Sequence, residues 1–196
     1  MLTLGEKPIG PMRLGLPLRI TTYLPESRHG APTRTELAQL LSLDERDIVS
    51  DRDSAQAWSC GVPYLFVPVR DRAALARARP DSAAWDRILH GAWAAQAFVF
   101  CRDPELAGSH IRARMFAPEF GIMEDPATGS AAAAFAGYLA EREHSGSGTL
   151  RWVVEQGFEM GRPSLLHVEA DRADGKVTAV RVGGTAVRMT EGTLFT

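Results

Sequence analysis

Apolar residues in this chain fall into many short runs broken by glycine, proline or charge, a spacing that predicts more strands than helices. Strands are expected over Leu18–Tyr23, Ala55–Cys60, Val62–Val69, Gln96–Cys101 and Ile111–Phe116, with Gly61 and Pro63 marking a bulge or tight bend. In the last of these, Ile111, Ala113 and Met115 alternate with Arg112 and Arg114, the period-two pattern of a half-exposed strand. Arg114 is therefore expected to be solvated or ion-paired. Thr33-Arg-Thr-Glu36 has the spacing of a capping box and predicts a helix reaching Leu41. Two more helices are predicted over Asp71–Arg79 and Asp81–His90, separated by Pro80 and closed by Gly91. Beyond a turn at Ser145–Gly148, four further strands (Leu150–Glu155, Ser164–Ala170, Lys176–Val182 and Thr185–Met189) are divided by Gly157, Asp174-Gly175 and Gly183-Gly184.

The helix predicted from about Gly129 to Glu143 is different, because its first half is almost wholly apolar. A helix apolar all round is buried on all sides, and its alanines and Gly137 let strands come close. The whole pattern is α+β: a curved, mixed but mostly antiparallel sheet wrapped around one central apolar helix, with peripheral helices and no regular βαβ alternation. Trp58, Trp85, Trp93 and Trp152 lie in apolar contexts and are read as core or interface.

Composition narrows the function classes. The 196 residues are 45% hydrophobic and 23% charged, enough for one ordinary globular domain. The net charge is −2 and the basic residues do not cluster, so no nucleic-acid partner is expected. The apolar runs are too short for a membrane span, and Met1–Lys7 has no signal-peptide core, so a cytoplasmic protein is expected. Cys60 and Cys101 sit in apolar runs and read as buried free thiols. The five histidines are scattered, so neither a metal site nor a cofactor is expected, and there is no phosphate-binding glycine loop.

Residues 119–130, Glu-Phe-Gly-Ile-Met-Glu-Asp-Pro-Ala-Thr-Gly-Ser, run directly into the apolar helix. Thr128, Gly129 and Ser130 there present backbone N–H groups at a helix N-terminus, which suits a carboxylate or phosphate. Asp125 beside that cradle suits acid/base work on a small acidic substrate. A purely structural account also fits, with Asp125 capping the helix and Pro126 as its first residue. On spacing alone the structural account is preferred.

Arg114-Met-Phe-Ala-Pro-Glu119, Glu124-Asp-Pro-Ala-Thr-Gly-Ser-Ala131, Gln156-Gly157 and Met160-Gly-Arg-Pro-Ser164 together resemble the PhzF-like phenazine biosynthesis family, and Ser59-Cys-Gly-Val-Pro-Tyr64 resembles its middle segment. The resemblance spans roughly residues 31–196. It implies a diaminopimelate-epimerase-like fold of two lobes, each a curved sheet around a central helix, with the active site between them. It also implies an isomerase that shifts a proton without metal or organic cofactor. Asp125 and Ser130 are then catalytic, and Thr128, Gly129 and Ser130 bind a small carboxylate-bearing metabolite. The absence of cysteine at these positions argues against two-thiol racemisation, where a thiolate is the base.

The family's first lobe carries a catalytic Glu and a Gly-His-Pro segment. Neither pattern occurs here, and His29-Gly-Ala-Pro32 has the wrong order. Glu26, Glu36 and Glu45 are not assigned as the base. Residues 1–30 are read as a remnant of the first lobe and 31–196 as the second. A lone second lobe exposes apolar surface, which leaves three explanations: a truncated or internally started chain, a separate first-lobe partner chain, or a homodimer that covers the surface, of which the homodimer is preferred. The competing reading is a catalytically silent binding or assembly lobe.

Overall fold

The longest apolar segment of the chain is the axis of its fold. In the computed structural model, residues 18–143 and 146–185 are described. They form, in chain order, β1 (Leu18–Thr21), β2 (Glu26–Arg28), α1 (Arg34–Leu41), β3 (Gln56–Ser59), β4 (Pro63–Pro68), α2 (Arg72–Arg77), α3 (Ser82–Leu89), β5 (Ala97–Cys101), β6 (Ile111–Ala117), β7 (Ile122–Asp125), α4 (Gly129–Arg142), β8 (Gly148–Gln156), β9 (Ser164–Ala173) and β10 (Lys176–Gly184). The strands make one sheet in the order β1-β10-β9-β8-β6-β5-β4-β3-β2, with β7 beside β6 off that path. Pairing is antiparallel except at β4–β5 and β6–β8. These parallel pairs need crossovers: α2 and α3 make one outside the sheet, and α4 makes the other through its inside.

β1 and β2 occupy opposite edges of the sheet, yet only residues 22–25 separate them. That link reaches at most about 18 Å, so the two edges lie close and the sheet curls around α4. Ala131–Ala134, Phe135, Tyr138 and Leu139 have no exposed surface. Their small side chains let the sheet come near, and Phe135 sits 4.7 Å from Phe100 and 5.0 Å from Phe66 between ring centroids. Burying each such ring stabilises the fold by roughly 2–3 kcal/mol. Tyr138 keeps its polar end satisfied by donating to the Ser54 carbonyl at 2.9 Å.

The opposite face of β4–β6 is also covered. Leu65, Val67, Val99 and Phe116 pack there against Leu40, Leu75, Trp85 and Leu89 of the outer helices. Those helices start where their caps dictate. Thr33 and Glu36 form the capping box, and Asp71 and Asp81 accept from the third residues of α2 and α3.

The covered outer face corrects the expectation for β6. Its alternation is real, with Ile111, Ala113 and Met115 in the inner core. Its arginines point the other way but do not meet solvent: Arg112 is 5% exposed and Arg114 4%. Arg112 lies over the Phe158 ring and pairs with Glu155 and Glu159, each at 3.0 Å. Glu155 is itself fully buried. Burial pushes its carboxyl up, but the amides of Glu105 and Leu106, Arg112 and Ser109 outweigh this and hold it below the usual range.

β2 and β7 are elements the sequence pattern did not separate from loop. Most of the strand expected at Thr185–Met189, and Ser145 in the expected turn, fall outside the described residues. Trp58, Trp85 and Trp152 are buried, as expected of core. Trp93 is half-buried beneath the Arg28 guanidinium, 4.2 Å from its ring. Cys101 is buried and Cys60 half-buried, both as free thiols. Burial pushes the Cys101 thiol up to about 11 and raises Cys60 as well.

Candidate active site

Asp125 ends β7 and Ser130 lies in the first turn of α4, so the chain turns from a sheet edge into a helix between them. β7 is anchored from below. Arg114 grips both oxygens of Glu124 at 2.8 and 2.7 Å, and its Nη1 donates to the carbonyls of Leu75 and Ala78 at 3.0 and 2.9 Å. A buried cation thus adds a donor to carbonyls at the end of α2, the negative end of its dipole. It also fixes the residue just before Asp125.

Thr128 occupies the N-cap of α4, but its side chain does not cap the helix. Its hydroxyl donates to Asp125 Oδ2 at 2.6 Å, and its backbone N–H donates to Gln156 Oε1 at 3.1 Å. Gln156, at the end of β8, is fully buried, and its Nε2 donates to the Asp125 carbonyl at 2.7 Å and to Thr128 Oγ1 at 2.9 Å. Two points of the sequence reading change. Asp125 is not a cap and Pro126 is not helical, because α4 begins at Gly129. The Thr128 amide is occupied by Gln156, which leaves Gly129, Ser130 and the buried Ala131 as the first-turn amides without an intrahelical acceptor, the first two nearest the open side.

Gly129 has nothing within 4 Å of where a side chain would start, and Ser130 is exposed. The Ser130 hydroxyl lies 2.7 Å from the hydroxyl of Tyr64, which is 3% exposed, and either group can donate. Burial pushes the Tyr64 phenol up, the Ser130 bond opposes this, and the Asp125 charge raises it further. Tyr64 therefore stays protonated near neutral pH, able to donate to Ser130 and free the serine hydrogen for a ligand.

Asp125, Ser130, Tyr64 and the open amides thus meet at the positive end of α4, where an anion is favoured. Phe120, just before β7, and Ile122 and Met123 on it leave 61%, 44% and 56% of their surface exposed. Among the described residues no cluster of His, Cys, Asp and Glu could hold a metal, and no helix is long and apolar enough to cross a membrane. Arg162 is exposed, and its backbone closes on Gly157, with its N–H donating to the Gly157 carbonyl at 2.8 Å and its own carbonyl facing the Gly157 Cα. A cavity of about 250 Å³ lies elsewhere, outside β8–β10. Its Arg151 and Arg181 are already paired with Glu169.

The family model described as "Phenazine biosynthesis-like protein" matches residues 13–192. The chain belongs to this family. Among its relatives, an uncharacterized isomerase of Mesorhizobium japonicum is 37% identical over 175 residues, covering 88% of this chain and 58% of the relative. A trans-2,3-dihydro-3-hydroxyanthranilate isomerase of Pseudomonas aeruginosa is 34% identical over 142 residues, covering 69% and 45%. In structure, the chain resembles a PhzF-family phenazine biosynthesis protein of Bacillus anthracis, with a TM-score of 0.77, 21% identity and coverage of 90% and 60%. It also resembles a predicted epimerase of P. aeruginosa, with a TM-score of 0.62, 30% identity and coverage of 91% and 58%. The expected fold, a mixed sheet curled around a helix, is the fold of these phenazine biosynthesis-like proteins. The chain spans little more than half the length of the relatives it matches most fully.

Neither Tyr64 nor Gln156 stood out in the sequence as a site residue. Both lie inside segments that carry the family resemblance, which was the signal that could have found them.

Proposed function

We propose that this chain supplies one wall of an isomerase site that moves a proton within a small carboxylate-bearing metabolite, without metal or organic cofactor. The observation that carries this reading is the meeting of Asp125, Ser130 and the open amides of Gly129 and Ser130 at the positive end of α4. The names of its relatives, trans-2,3-dihydro-3-hydroxyanthranilate isomerases, support the reaction class. In this reading the amides and the Ser130 hydroxyl hold the substrate carboxylate, and Asp125 takes or returns the proton. The opposing acid/base group comes from a facing lobe, either a first-lobe chain or the second copy of a homodimer. Phe120, Ile122 and Met123 form the apolar rim against which that lobe closes. The reaction runs in the reducing cytoplasm, where Cys60 and Cys101 remain thiols.

The test is deuterium uptake from D2O into trans-2,3-dihydro-3-hydroxyanthranilate, with solution mass followed by light scattering. Uptake is expected in an assembly larger than the monomer. Asp125→Asn should lower it by at least about 100-fold, the usual worth of a positioned acid or base, with melting unchanged. No uptake at any concentration, or with the first lobe of the Mesorhizobium relative added, would leave a silent binding lobe and overturn the isomerase reading.

A further inference from the structure

Gln156 touches no open surface, yet it spends both of its side-chain hydrogen-bond donors on the Asp125–Thr128 turn. Its orientation is forced. The Thr128 backbone N–H can only donate, so the atom facing it at 3.1 Å must be the side-chain carbonyl oxygen. The amide nitrogen then points the other way, toward two oxygens. One is the Asp125 carbonyl, which can only accept. The other is Thr128 Oγ1. Turning the amide over would set N–H against N–H at one end and carbonyl against carbonyl at the other, so only one orientation is available.

This orientation has a consequence one bond further on. Thr128 Oγ1 receives a hydrogen from Gln156, so its own hydrogen is directed to its other neighbour, Asp125 Oδ2, at 2.6 Å. A contact that short suits a hydroxyl donating to a charged carboxylate. Oδ2 is thereby committed as an acceptor. Asp125 Oδ1 makes no hydrogen bond among the described residues, and Asp125 is only half-buried.

We infer that Gln156 is a positioning residue: through Thr128 it fixes the direction of the proton at Asp125 Oδ2, leaving Oδ1 as the atom that exchanges a proton with the substrate. The last clause rests on the isomerase reading above, and the relay itself does not. The relay also explains why Thr128 gives up capping α4. Its hydroxyl serves the carboxylate, and its amide is the contact that orients Gln156. The other ionisable groups near Asp125 are Tyr64, across the site, and the Arg114–Glu124 pair beneath β7. The relay touches none of them.

The test needs no substrate. The Gln156 side-chain amide protons are read by NMR in the isotope-labelled chain, in wild type, T128S and T128V, each with and without D125N. In wild type and T128S, which both keep the hydroxyl, D125N removes the charged acceptor and should shift the Gln156 amide protons. In T128V, which has no hydroxyl to pass the change on, D125N should leave them still. Gln156 protons that ignore D125N in wild type, or that respond equally in T128V, would overturn the relay. If T128V does not fold, the wild-type and T128S comparisons decide alone. A chain that shows the coupling but no deuterium uptake keeps the relay and loses the isomerase reading; uptake without coupling does the reverse.

Discussion

Gly157 shows how little room the site leaves. Its φ is +81°, in the region glycine enters freely. A side-chain carbon there would come 2.6 Å from the Pro126 carbonyl oxygen and 3.1 Å from Pro126 Cα, and would also strike the Arg162 carbonyl. All of these are backbone atoms, and moving Pro126 moves Asp125. Gly157→Ala should therefore cost about 2–4 kcal/mol, the strain and overpacking together. Denaturant unfolding would show this, with a loss of deuterium uptake greater than the stability loss explains. A fully active, equally stable variant would refute the close contact. At this scale, Asp125 and Ser130 were legible because they share one short string with the start of α4. Tyr64 and Gln156 were not, because they reach the same place from 66 and 28 residues away in sequence. Local spacing carries no information about such distant partners.

At the scale of elements, α4 was the most legible part of the chain and β6 the most misleading. An apolar run with no polar stripe has only one stable location, the interior. Period-two alternation reports that two faces differ, not that one of them is wet. In β6 the polar face is roofed by α2 on one side and by Glu155 and Glu159 on the other, so Arg112 and Arg114 are buried with partners. β7 was missed because its four residues lie in a string that also reads as a turn. Packing around α4 gives a sharper test. A methyl at Gly137 would come 2.5 and 2.7 Å from the Pro25 ring and 3.2 Å from Trp58 Cζ3. Alanine gains about 1 kcal/mol of helix propensity, while overpacking a rigid ring costs about 1–3 kcal/mol. Gly137→Ala should come out destabilising by calorimetry. A raised Tm would mean that Pro25 moves freely off the helix.

For the whole molecule, the outer face of β8–β10 carries a ladder of ion pairs whose strength depends on pH. Arg181, with help from Thr149, holds the Asp171 carboxyl down to about 2. The unfolded chain titrates near its ordinary value of about 3.9, so folding is favoured by ionised Asp171 above that pH. This contribution is lost as pH falls from about 4 toward 2. Asp171 is about one-third exposed, so its share is modest. Urea midpoints should be flat above pH 5 and drop below 4, and Arg181→Leu should flatten part of that drop. An unchanged slope in the variant would place the acid sensitivity elsewhere, with Glu155 the next candidate.

The curled sheet also imposes an order on synthesis. Among the described residues β1 pairs only with β10, Leu18 opposite Gly184, so it waits until every other described strand has emerged. α4 waits too. Its buried alanines and Phe135 are translated before β8, β9 and β10, which pack along it. At about 5–20 residues per second, the helix meant for the centre of the protein spends roughly 2–8 s without those strands. During that interval its apolar surface is the part of the chain most prone to stick to other chains, the hazard that chaperones exist to limit.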